Sequence, residues 1–145
     1  MIDDATFVVR SSRERTEACC RRLLCEMAGE DSVTVICERP FWRALRRSYE
    51  VGIEAGRRWT VCVDADVLAS ADRMVDFLGM AEETPENVLE IQGTILDKLM
   101  GGVRPGGPHA YRTGLLPQAL DCIQKTDTPT ARSERGGRGV RESTT

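Results

Sequence analysis

The chain has 145 residues, 41% hydrophobic and 30% charged, with a net charge of -3 at neutral pH. That length supports one core at most, and the balance is ordinary for a globular protein. The charge excludes the global basic field of a nucleic-acid binder. No apolar run approaches the ~18 residues expected of a membrane span, and Met1-Ile2-Asp3-Asp4 is no secretory signal. Six cysteines with no Cys-x-x-Cys pair and a single His argue against a structural zinc site or a disulfide scaffold. They read as small hydrophobes in a reducing compartment, so the cytoplasm is the expected location.

Thr6-Phe7-Val8-Val9 is a short β-rich run that enters the polar loop Arg10-Ser11-Ser12-Arg13. A helix is predicted from Arg13 to about Ala28, with Ser12 as N-cap and Gly29 as stop. Ser32–Cys37 is a second strand, ended by Glu38-Arg39-Pro40. Phe41 to Ala55 is a second helix, with Phe41, Leu45, Tyr49 and Ile53 along one face and Gly56 at its end. Phe41, Tyr49 and Trp59 are expected in the core. Trp59–Val63 is a third, buried strand.

Ser70 caps a third helix to about Glu83, and Val88–Gln92 is a fourth strand whose alternation suits an edge or an antiparallel neighbour. Gly93–Met100 reads as either helix or strand. Gly101–Pro108 reads as a glycine-proline loop, and Leu115 to about Gln124 as a last helix. From Thr126 the composition turns to Thr, Ser, Gly, Arg and Glu, which predicts a disordered tail over 126–145 behind a domain at 1–125. Two strand–helix–strand units predict an α/β fold with a mostly parallel sheet flanked by helices.

Asp64-Ala65-Asp66 follows directly on the third strand. Ligands of open α/β sheets bind at the carboxyl ends of strands. Two carboxylates there suit a hard divalent cation and the phosphates it carries, although either can also be a plain turn carboxylate.

The stretch from Ser48 to Asp66 resembles the central block of family-2-like glycosyltransferases with the GT-A (Rossmann-like) fold. Gly52, Ile53 and Ala55 hold the places of a Gly-Ile-x-x-Ala helix, Val61–Val63 those of the strand, and Asp64 and Asp66 those of the Asp-x-Asp motif. Val8-Val9 with its polar loop fits the family's opening, and Glu90–Gly93 through His109–Thr113 fits a bacterial branch, so the likeness covers roughly residues 6 to 124. The resemblance implies a nucleotide-sugar donor whose diphosphate is held through Mg2+ or Mn2+, and a glycan, lipid or protein acceptor. It places Arg10, Ser11 and Arg13 near the nucleotide and Glu38 at the base. It places Asp64 at the ribose or metal, Asp66 on the metal, and His109 as a late metal ligand; Arg112 either binds the diphosphate or merely begins the last helix.

The family's downstream acidic general base has no counterpart after about Ile123, so the resemblance describes a domain shortened on its C-terminal side. Two other readings stay open: a non-catalytic transferase-like module, and a haloacid-dehalogenase-like phosphatase with Asp64 as nucleophile. The phosphatase motif ordinarily ends a first strand, whereas two strand–helix units precede Asp64 here.

Overall fold

A computed structural model describes residues 1–125; the tail expected at 126–145 lies outside the described residues. The elements are β1 (Ala5–Arg10), α1 (Glu17–Ala28), β2 (Val33–Ile36), α2 (Phe41–Ala55), β3 (Trp59–Asp64), α3 (Ala71–Glu82), β4 (Glu90–Asp97), β5 (Gly102–Arg112) and α4 (Leu116–Asp121). They build one sheet in the order β2-β1-β3-β5-β4. β1 pairs in parallel with both β2 and β3, while β5 is antiparallel to both β3 and β4. Four of the five strands therefore run in one direction, as the α/β reading expects.

Alternation along the central strands separates the core into two layers. Phe7, Val9, Val61 and Val63 point to the side where α1 and α3 contribute Leu24, Met27, Met74 and Ala81. Val8 and Cys62 point to the opposite side, against Ala44 and Tyr49 of α2 and Leu116 of α4. Strands covered on both faces need apolar residues at successive positions, and Phe7, Val8, Val9, Val61, Cys62 and Val63 are all fully buried. Close approach of α2 to β3 depends on Gly52, where a Cβ would stand 2.1 Å from Thr60 Oγ1. Trp59 is buried against α3, its indole N–H donating to the Glu82 carboxylate.

Three expectations need correction. The helix expected from Arg13 begins at Glu17, because the polar loop makes its own turn: Arg13 has φ 68° and its N–H donates to Ser11 Oγ at 2.9 Å. Phe41 is not core; it is 66% exposed at the first turn of α2. Most of the glycine-proline loop expected at Gly101–Pro108 is strand, paired with β4 from Asp97↔Gly102 to Thr94↔Pro105. Its glycines serve packing as well as turning: at Gly107, with φ 104°, a Cβ would lie 2.4 Å from Ile95 Cγ2. Cross-strand pairing supplied what local composition lacked.

Among the described residues no helix is long and apolar enough to cross a membrane, and all six cysteines are free thiols.

Candidate functional site

The carboxyl ends of β1, β2 and β3 meet in a cavity of about 340 Å³. Arg10 and Ser11 enter it from β1, Glu38, Arg39 and Phe41 from the β2–α2 connection, and Asp64 and Asp66 from the end of β3. The parallel register brings Arg10 directly opposite Asp64. Its Nε donates to Asp64 Oδ1 at 3.0 Å, and its guanidinium lies 5.5 Å from the centre of the Phe41 ring.

The Asp64-Ala65-Asp66 turn is held by its backbone. Ala65 N–H donates to Arg10 O at 3.0 Å, Val67 N–H to Asp64 O at 2.9 Å, and the Thr16 hydroxyl to Ala65 O at 2.7 Å. Ala65 is fully buried, so its two neighbours are presented outward on a fixed turn. Asp64 keeps half of its side chain exposed beside Arg10. Asp66 is exposed and has no side-chain partner among the described residues.

The β1 loop is equally fixed. Ser11, buried, places its hydroxyl on the Glu14 carboxylate at 3.1 Å and on the Glu17 carboxylate. Ser12 N–H donates to Glu14 Oε2 at 2.8 Å. Glu14 is held below the usual carboxylate range, chiefly by a backbone hydrogen bond at Glu14 itself and also by that from Ser12. Two arginines, Arg10 and Arg39, face four carboxylates, Glu14, Glu38, Asp64 and Asp66, around this cavity. An excess of negative charge repels a bare polyphosphate and attracts a cation.

Of the residues singled out in sequence, Arg10, Ser11, Glu38, Asp64 and Asp66 come together here. Arg13 is an exposed loop residue outside the lining. Arg112 stands at the other end of the sheet, opposite Trp59, with its guanidinium 4.7 Å from the indole centre and one nitrogen donating to Thr84 O at 2.8 Å. Its distance from the cluster follows from β5 running antiparallel to β3. His109 sits opposite Cys62 and gives Nδ1 to Glu90 Oε1 at 2.5 Å, its ring parallel to that of Tyr111. It does not join the two aspartates: among the described residues no group of three His, Cys, Asp or Glu side chains forms a metal cage.

Ser12, Glu14, Arg39 and Phe41 also line the cavity, with Ile36 and Ala44 as its apolar part, and were not assigned a place there from sequence. The rule that pointed to Asp64 would have found Arg39 and Phe41, because both follow the carboxyl end of β2. A larger hollow of about 610 Å³ at the opposite end of the sheet contains Arg57, Arg58 and Arg112. Those arginines are already engaged by Ser32 and Ala5 O, by Glu82, and by Thr84 respectively.

No protein-family model matches the chain, and no curated protein matches it in sequence. Its fold is similar to that of a glycosyltransferase involved in the glycosylation of the major capsid of PBCV-1, with a TM-score of 0.50 at 14% identity. The likeness covers 81% of this chain and 64% of the other, so the chain spans less than two thirds of that protein's length. The five-stranded sheet with helices on both faces is thus a glycosyltransferase-like α/β fold.

Proposed function

We propose that this chain is a glycosyltransferase-like protein that binds a nucleotide-sugar donor through a divalent cation, in the manner of GT-A enzymes, and transfers the sugar to an acceptor. The supporting observation is the cavity of four carboxylates and two arginines at the strand ends, with Asp64 and Asp66 on one rigid turn. A diphosphate enters such a cavity when a cation stands between it and the carboxylates.

The donor set fits Mg2+ or Mn2+: hard oxygen ligands, one or two carboxylates from protein, and the remaining positions left for phosphate and water. Asp66 would hold the ion, with Asp64 beside it. The bound ion supplies charge neutralisation for the departing nucleoside diphosphate. Arg10, pinned between Asp64 and Phe41, orients that carboxylate and adds a positive group near the phosphates. Ser11 fixes the loop, and Glu38 stands at the mouth near β2, where a base edge would be recognised. The proposed setting is cytoplasmic.

Titration calorimetry with uridine or guanosine diphosphate tests the reading. Binding is expected with Mn2+ and absent without it, and Asp66→Ala removes the metal-dependent part. No binding by the unaltered chain, or equal binding by the variant, sinks the proposal. Phosphate release from an aryl phosphate that disappears in Asp64→Asn would instead establish a phosphatase.

A further inference from the structure

The antiparallel arm formed by β4 and β5 extends past the sheet. β5 pairs with β3 only from His109 to Arg112; residues 102–108 have β4 alone as neighbour. Since β5 runs against β3, that free part of the arm projects in the direction in which β3 runs toward Asp64. The arm and the carboxylate-lined cavity therefore lie at the same end of the molecule.

The arm is two-faced. Leu96 and Val103 are directly opposite each other and share a face, 68% and 70% exposed. Leu99 and Met100 form the apex, 97% and 79% exposed. Ile95 and Arg104 form an opposed pair on the other face.

The turn is built to hold its apolar apex outward. Asp97 Oδ1 accepts from Leu99 N–H at 3.0 Å and Met100 N–H at 3.2 Å, and Gly101, with φ 71°, donates its N–H to Asp97 O at 2.9 Å. Asp97 Oδ2 takes Arg104 Nε at 2.6 Å. That neutralises the one acidic side chain of the tip and leaves Lys98 as a cation without a partner among the described residues.

We propose that this arm docks on an anionic lipid surface, inserting Leu99 and Met100 at the boundary of headgroups and acyl chains with Leu96 and Val103 behind them. An exposed apolar apex beside one cation, Lys98, unpaired among the described residues, favours an interface with negatively charged headgroups. A second protein fits the arm less well. Four exposed side chains on a narrow tip fall far short of the roughly 20–30 residues a side that a stable protein interface uses.

Vesicle co-sedimentation of the full chain tests this. The chain is expected to bind vesicles of phosphatidylcholine containing about one quarter phosphatidylglycerol more tightly than vesicles of phosphatidylcholine alone. Leu99→Asp with Met100→Asp is expected to weaken that binding by about tenfold or more, and Lys98→Glu by a few-fold. The exposed positions should leave the unfolding temperature of both variants unchanged. Leu99→Trp adds a direct readout: its added fluorescence is quenched by acyl-brominated lipid if the apex inserts. No binding by the unaltered chain overturns the proposal, as does full binding by the double aspartate variant. Ultracentrifugation showing a dimer that the double aspartate variant abolishes, without vesicle binding, overturns it in favour of a contact between copies.

Discussion

Arg10 and Asp64 occupy facing positions on adjacent parallel strands, and Arg10 Nε lies 3.0 Å from Asp64 Oδ1. The arginine side chain is nearly buried while the aspartate is half exposed. The pair joins the loop that follows β1 to the Asp64-Ala65-Asp66 turn of β3. Solvent screening limits the stability it contributes to about 1 kcal/mol or less, so its larger effect is on geometry. Arg10→Ala also removes the stem and head that pack on Phe41. Chemical denaturation should register a loss of roughly 1–2 kcal/mol from the two together.

Asp66 and Asp64 should differ in their response to amidation. Asp66 is exposed and uncommitted, whereas Asp64 is shared with Arg10. Asp66→Asn is expected to weaken Mn2+-dependent binding of a nucleoside diphosphate by at least about tenfold, roughly 1.4 kcal/mol. Asp64→Asn should weaken it less, and it also frees the Arg10 guanidinium. Calorimetry at matched Mn2+ gives the order; the reverse order would place the ion on Asp64.

Gly52 is a steric requirement of the α2–β3 contact. A methyl group there would meet Thr60 Oγ1 at 2.1 Å and Cγ2 at 2.6 Å, and Thr60 is itself buried and hydrogen-bonded to Thr113 at 2.9 Å. Gly52→Ala is expected to destabilise the fold by about 1–3 kcal/mol through overpacking, despite the better helix propensity of alanine. Adding Thr60→Ala to Gly52→Ala removes both Oγ1 and Cγ2 and should recover part of the loss relative to the sum of the two single variants, which urea unfolding of the single and double variants would show.

The Glu90 carboxyl is held below its usual value of 4.5, first by the hydrogen bond from His109 and also by the charge of His109 and the hydroxyl of Tyr111. A depressed carboxylate contributes stability that is present above its unfolded-state pKa and is lost as pH falls through the folded-state value. Acid unfolding of Glu90→Gln should therefore lack the part of the slope that the unaltered chain shows below about pH 4.5. Equal slopes in the two proteins over that range would mean that Glu90 is not engaged in solution.

The cysteines should separate by reactivity. Burial pushes the Cys20 and Cys62 thiols up to about 11, and both side chains are almost wholly inaccessible. Cys37 and Cys122 are exposed. Brief alkylation of the native protein followed by mass spectrometry should find label on Cys37 and Cys122, with Cys20 and Cys62 labelled only after unfolding. Early modification of Cys62 would contradict the packing of β3 against α2.

Sequence by itself determined the strand–helix alternation through α3, because buried parallel strands and capped helices carry strong local signals: the Val61-Cys62-Val63 run, the Gly56 stop and the Ser70 cap. It also marked Asp64 and Asp66, since the end of an apolar strand is legible from composition alone. Only the tertiary structure decided what lies beside them. The β1–β3 register put Arg10 against Asp64, and the antiparallel return of β5 carried Arg112 to the far end and set His109 against Glu90. Gly102–Arg112 became a strand through its pairing with β4 and β3, and that pairing sent Leu99 and Met100 out as an apex. Cross-strand registers join residues far apart in the chain, so no local pattern could have specified these neighbours.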